Sequence, residues 1–518
     1  MASMYFVNIT LGGQPFTVIL DTGSSDLWVY APDANINVLN DSQLTANITY
    51  GRGSISGTVQ FAELQVGEYV VPSQAFIRGQ KLGDGFPAGL TGIIGISFDS
   101  DLESEVARTI HRAWGESNTL GHTVFSNILG QNRSLQPFFD LSLNRAEDLE
   151  LGDTKATLII GHHDPRYSAV AEAPQVPRII ESMWTGYVDG MNINGQPFQF
   201  PPAITPYTPS GKLVSLFDSG SAFIAMPGAM MDAVFEQIAG SIKVNETWYA
   251  PCYSSVNLTF TIAGQDYPVH PLDISLVTQL TVLESGTSTT FTVCSGAFLS
   301  LGPEGVNGAD MVLGDPFLKN VYASFNFGPE NAEGDHNGTS GSYLQFLSLT
   351  NADDAWLDFF FTRAAVLSLL FPATIDPVLL PQLFPSDFGA VENTIATSLN
   401  TSPTSTAPAL ASSSVAVSGA LGEVRVDDTP VLGSSGAASA SGAIDKYGPA
   451  VVGLLGANLA VMVLLCVVAL SSCTRGVMRG GVRARSVDAA YAPVKFEEPK
   501  PEAAYIPEYD APALRYGE

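Results

Sequence analysis

Two short segments of the chain carry the same order of residue types. Leu20-Asp21-Thr22-Gly23-Ser24 and Phe217-Asp218-Ser219-Gly220-Ser221 each place an aspartate before a small hydroxyl residue, a glycine and a second hydroxyl residue. Each follows an apolar run, Phe16-Thr17-Val18-Ile19-Leu20 in one case and Leu213-Val214-Ser215-Leu216-Phe217 in the other. Asp21 and Asp218 lie 197 positions apart, far enough for one to sit in each half of a two-lobed body. Two carboxyls brought face to face resist ionising together and share one proton. Such a pair offers an acid and a base around a single water, which suits hydrolysis of a peptide bond.

The elements that must position these residues read as strands. Between residues 4 and 350, short β-type runs such as Tyr5-Phe6-Val7-Asn8-Ile9 and Leu158-Ile159-Ile160 alternate with Gly, Pro and Asn turns, an all-β pattern. The chain has 518 residues, 45% of them hydrophobic, enough for more than one lobe. A formal net charge of −28 argues against nucleic-acid binding, which wants a basic face. Cys252 and Cys294 are expected to pair, closing a loop of roughly 40 residues and contributing about 3–4 kcal/mol through the unfolded state; the alternative is two free core thiols. Gly161-His162-His163-Asp164 has the look of metal-ligand spacing but reads better as a turn after a strand, so no metal and no cofactor are expected.

On these motifs the body resembles the pepsin-like aspartic protease family over nearly all of residues 4–350. Each lobe of that family carries Asp-Thr/Ser-Gly and, further on, two apolar residues and a Gly that pack beneath the Asp loop. Here Ile93-Ile94-Gly95 follows the first motif and Val312-Leu313-Gly314-Asp315 the second. The resemblance implies a bilobal β fold, a catalytic pair Asp21 and Asp218, and an aspartic endopeptidase acting on proteins or peptides at acidic pH. It implies that Thr22 and Ser219 bond across between the loops, and that Ser24 and Ser221 hold the outer carboxyl oxygens. Gly23 and Gly220 are expected to let the backbone turn tightly. Ile48-Thr49-Tyr50-Gly51-Arg52-Gly53-Ser54 resembles the family's flap, with Tyr50 reaching toward Trp28 and Gly51 and Gly53 giving turn and mobility. Ala222 departs from a common hydroxyl, with small effect expected because Ser221 remains. Arg52 departs by placing a cation at the flap tip, where it favours acidic substrate side chains.

The expected organisation is a first lobe at 1–175, a second at 176–350, a helical extension at 351–391, a Ser/Thr/Ala/Gly-rich stalk at 392–446, a transmembrane helix at 447–470 and a cytosolic tail at 471–518. Residues 448–470 are 23 in a row without a charge, followed by Arg475, Arg479, Arg483 and Arg485, which sets the tail inside and the body lumenal or extracellular. Eight Asn-x-Ser/Thr sequons agree with a glycosylated secretory body. With Met1 only four residues before the first strand, a missing signal and pro-segment are expected. The reading is a monomeric, single-pass, membrane-anchored protease most like surface or vacuolar members from fungi. The competing reading is a catalytically inactive relative that binds peptides or glycans.

Overall fold

The computed structural model describes residues 4–383, apart from 87–88, 144, 146–155, 285–286 and 329–340. The stalk, the transmembrane stretch and the tail expected at 392–518 lie outside these residues. Among the described residues, no helix is long and apolar enough to cross a membrane.

The first half is a seven-stranded sheet. Its strands are β1 (Phe6–Leu11), β2 (Gln14–Asp21), β3 (Leu27–Val29), β4 (Asn40–Thr49), β5 (Ser54–Val66), β6 (Tyr69–Leu82) and β7 (Gly92–Gly95), in the order β1-β2-β7-β3-β6-β5-β4. Gly12 and Gly13 join β1 to β2 with φ of 53° and 79°, the left-handed pair that a two-residue hairpin demands. Alternation along β2 buries Phe16, Val18 and Leu20 on one face. That face packs into a core with Ile94, Ile96, Phe98 and Phe125. β2 and β7 run parallel, with Asp21 opposite Gly95, so the first Asp emerges at the end of two buried strands.

The second half repeats this arrangement. Leu213–Phe217 runs parallel to Met311–Leu313, with Phe217 opposite Leu313, and all five residues of the former strand are buried. Asp218 follows at once, and its N–H donates to Leu313 O at 3.2 Å. A five-stranded sheet joins the halves: Phe138–Ser142 from the first pairs antiparallel with Val321–Asn326 from the second. Across this shared sheet the rings of Phe139 and Phe325, one from each half, stack with centres 4.8 Å apart.

A disulfide joins Cys252 to Cys294, whose Cα atoms are 5.1 Å apart. Beside it docks a helix, Ala352–Leu370. Asn351 starts the helix by accepting from Asp353 N at 2.9 Å, and the Phe371-Pro372 step ends it. Phe359, Val366 and Leu367 are buried against the second lobe. Arg363 is fully buried and donates to Ser275 O at 3.0 Å and to Cys294 Sγ at 3.3 Å. Removing that side chain would strip capped carbonyls of their donor, a loss of about 1–3 kcal/mol for each.

Candidate active site

The hydroxyl residues after each Asp tie the two loops together. Thr22 Oγ1 donates to Phe217 O at 2.8 Å and accepts from Ser219 N at 2.9 Å. Ser219 Oγ donates to Leu20 O at 2.8 Å and accepts from Thr22 N at 3.1 Å. Both side chains are buried, so the four bonds leave no hydroxyl unsatisfied and fix one loop against the other. Each is worth about 1 kcal/mol net, and losing one partner leaves a dry polar group costing about 1–3 kcal/mol.

This clamp brings the carboxyls of Asp21 and Asp218 within hydrogen-bonding reach of each other. Gly23 N donates to Asp21 Oδ1 at 2.8 Å, and Gly220 N donates to Asp218 Oδ1 at 2.8 Å. Both glycines sit in turns, at 22–23 and at 219–220, as expected, and what demands a glycine there is space rather than backbone angle. Neither has a positive φ. A Cβ on Gly23 would lie 2.6 Å from Asp218 Cγ, and one on Gly220 would lie 2.4 Å from Asp21 Oδ1. Only a residue without a side chain allows each loop to pass beneath the opposite carboxyl.

The outer contacts are not symmetric. Ser24 Oγ donates to Asp21 Oδ2 at 2.5 Å. Ser221 Oγ, expected to do the same for Asp218, turns away and donates to Phe223 O at 3.0 Å. The reason is local: the Ser221–Phe223 turn offers a carbonyl two residues on, and short hydroxyl side chains take such backbone acceptors readily. Ser221 therefore gives no cover for the missing hydroxyl at Ala222, contrary to expectation. Burial raises the pKa of both carboxyls. For Asp21 the Ser24, Asp218 and Gly23 bonds work against that rise, whereas for Asp218 the charge of Asp21 adds to it and lifts it well above the carboxylate range. The two titrate as a pair.

Over them lies the β4–β5 hairpin. Tyr50 OH accepts from Trp28 Nε1 at 2.8 Å and bonds with Ser24, so the hairpin tip is wired to the Asp21 side. Gly53, with φ of 83°, supplies the left-handed residue of the turn; Gly51 needs neither unusual backbone nor extra space. Phe86, not singled out in the sequence, stands 5.7 Å from Tyr50 and 5.4 Å from Trp28, ring centre to ring centre. No local signal marks it, because it lies 36 positions after Tyr50, beyond both β5 and β6.

Two further acids were missed. Asp26 Oδ1 accepts from Ser104 Oγ at 2.7 Å, and its Oδ2 accepts from Glu105 N at 2.7 Å, capping the helix α1 (Glu105–Trp114). Burial pushes its carboxyl up to about 6 despite these donors. Asp26 sits five residues after Asp21, too close to a recognised motif to stand out. Asp315, 1% exposed, lies behind Asp218, and burial raises it well above the usual range. The expected turn at Gly161–Asp164 uses its side chains locally: His163 Nδ1 is 2.7 Å from Asp140 Oδ2, and Asp164 pairs with Arg166 at 2.7 Å.

Paired Asp loops, cross-bonded by hydroxyls between two β lobes and roofed by a tyrosine-bearing hairpin, define the architecture of an aspartic peptidase. The family model described as eukaryotic aspartyl protease matches residues 4–333, and the chain belongs to that family, whose members are aspartic endopeptidases. It is similar to cathepsin D of Dictyostelium discoideum, 28% identical over 63% of this chain and 81% of that one. It is also similar to vacuolar protease A of Aspergillus fumigatus, 26% identical over 63% of this chain and 77% of that one. Among solved structures, an aspartic proteinase from Irpex lacteus aligns with 67% of this chain and 94% of its own at a TM-score of 0.45 and 18% identity.

Proposed function

We propose that this protein hydrolyses peptide bonds by means of a water held between Asp21 and Asp218, working best at acidic pH. The carrying observation is the reciprocal approach of the two carboxyls, each over the other loop's glycine. Donation from Ser24 favours the ionised form of Asp21, and Asp218 lacks the equivalent donor. Asp21 then takes a proton from the water as its oxygen attacks the scissile carbonyl carbon. Asp218 gives its proton to the carbonyl oxygen as that oxygen becomes negative. Collapse of the resulting diol, with a proton passed to the departing nitrogen, breaks the C–N bond and restores the pair. Tyr50, Trp28 and Phe86 close the roof over an extended peptide and exclude bulk water. The test is hydrolysis of an unfolded protein from pH 3 to 7, with and without pepstatin, beside the Asp218→Asn variant. Acid-favoured cleavage lost to both inhibitor and substitution supports the reading. Cleavage that survives the substitution sinks it.

The reading extends to location. The uncharged stretch at 448–470 and the arginines after it support a single-pass anchor with the body lumenal or extracellular. The likeness to a protein named vacuolar protease A agrees with such a compartment. Extraction of membranes at alkaline pH decides the anchor: an anchored chain stays in the pellet, and release into the supernatant removes that part.

A further inference from the structure

The helix Ala352–Leu370 is apolar on two faces. Phe359, Val366 and Leu367 pack on the second lobe, while Leu357, Phe360, Phe361 and Leu369 stand 62%, 46%, 76% and 73% exposed. Leu357, Phe360, Phe361 and Ala364 fall at helical spacing and form one outward stripe. A contiguous apolar patch on the surface of a folded body calls for a cover. At the head of the stripe the Trp356 ring lies 5.8 Å from that of Phe360 and stands perpendicular to buried Phe359 at 5.7 Å. Trp356 Nε1 donates to Asn257 Oδ1. An indole N–H only donates, so the contact uses the carbonyl end of the amide and not Nδ2.

Asn257 opens the sequon Asn257-Leu258-Thr259. It leads into the strand Leu258–Ile262, where Leu258 and Phe260 are buried and Thr259 is not, so Asn257 and Thr259 share the outer face. Asn257 N donates to Asn194 Oδ1 at 3.0 Å and Asn194 N donates to Asn257 O at 2.8 Å, which fixes its backbone. Exposure does not single Asn257 out, since all six sequon asparagines among the described residues are exposed. What recommends it is the bond to the first ring of the apolar stripe. We propose that Asn257 carries an N-linked glycan whose first sugars lie over the Trp356 and Phe360 rings and cover the head of that stripe. In the transfer, Asn257 Nδ2 bonds to C1 of the first sugar of a lipid-diphosphate-linked oligosaccharide. The C1–O bond to phosphate breaks, the lipid diphosphate leaves and Nδ2 gives up one proton. A pyranose offers C–H groups on its faces and hydroxyls at its rim, so it packs on a ring and keeps its hydration. The inference rests on the lumenal or extracellular placement of the body and adds a modification site to it.

The experiment introduces each variant at the gene's own locus, purifies the full chain from the cells that make it, and reads the occupancy of every sequon by mass spectrometry. Asn257 should be occupied in wild type and in Thr259→Ser, which keeps the sequon. It should be empty in Thr259→Ala, which keeps the Asn257 amide and its bond to Trp356. Hydroxyl-radical labelling of Trp356 and Phe360 is scaled to that of Tyr207, which is 99% exposed and lies outside the helix. It should be about twofold higher in Thr259→Ala than in wild type, because a sugar shields one of a ring's two faces. Thr259→Ser should label as wild type does. Asn257→Gln supplies the sugar-free form should Thr259→Ala fail to fold by circular dichroism. Equal labelling with and without a glycan at Asn257 overturns the proposal, whether the face is then bare or taken by a second copy of the chain. An empty Asn257 beside an occupied Asn8 or Asn47 overturns the assignment alone. No sugar at any sequon overturns the assignment and the placement of the body together.

Discussion

The two Asp loops begin with the same residue types and part company at their fourth and fifth following positions. In the first, Ser24 holds the outer oxygen of Asp21, and Asp26 anchors the loop to the start of α1 through Ser104 Oγ and Glu105 N. In the second, Ser221 closes its own turn onto Phe223, the residue five after Asp218, and that ring faces Arg52 of the hairpin. Backbone bonds hold both loops, Ile96 N on Asp21 O at 2.9 Å and Ser97 N on Ser24 O at 3.0 Å in the first, Asp218 N on Leu313 O at 3.2 Å and Asp315 N on Ser221 O at 2.8 Å in the second, so the side-chain ties are what differ. A repeated frame thus places two carboxyls symmetrically, and unequal neighbours make them chemically unequal. The first loop is tied by side chains that favour a charged Asp21; the second leaves Asp218 with burial and a like charge beside it, which favour the proton.

The harshest way to break the comparison is to remove one carboxyl. Asp21→Asn and Asp218→Asn should each lower kcat by roughly 10⁴-fold or more, since a unit that shares one task fails when either part is lost. Circular dichroism should stay that of the wild type, and single-turnover assays check the rate. Next is Gly220→Ala. Its Cβ would press on Asp21 Oδ1, which Ser24 and Gly23 hold in place, so the pair must separate. A displacement of this kind costs about 10²-fold in kcat/KM, read beside Gly51→Ala, where the added methyl meets nothing within 4 Å and activity should hold.

A gentler test uses the acid that only the first loop has. Asp26 has its folded pKa raised from 3.8 to about 6. The folded state therefore binds this proton more readily than the unfolded chain, and its contribution to stability is full below about pH 4 and lost as pH rises toward 6. The amount is on the order of 3 kcal/mol. Urea unfolding of wild type at pH 4 and pH 7 should show a fall, and Asp26→Asn should shrink that fall; an unchanged pH dependence in the variant would locate the titration elsewhere, Glu103 at about 7 being the next group.

Much of this frame is legible in the chain because its signals are local. The apolar runs before Asp21 and Asp218 mark buried strands, the Gly two residues after each Asp marks a turn, and Trp28 and then Tyr50 follow the first motif. What cannot be read this way depends on a choice between partners or on distant chain. Ser24 and Ser221 are the same residue type at the same offset, yet one finds a carboxylate and the other a carbonyl. Phe86 joins Tyr50 and Trp28 only after β5 and β6 have folded back. The sheet that joins the halves pairs Phe139 with Phe325, residues far apart in sequence with nothing local to match them.

The account turns on the inequality of the two loops, so the most direct measurement is the pH profile of kcat/KM for Ser24→Ala beside Ser221→Ala. Ser24 donates to Asp21 and holds its pKa down; without it the first deprotonation of the pair needs a higher pH. The acid limb of Ser24→Ala should therefore move to higher pH, while that of Ser221→Ala stays with the wild type, because its hydroxyl serves Phe223 O. Equal shifts in the two variants, or a shift confined to Ser221→Ala, would contradict the account.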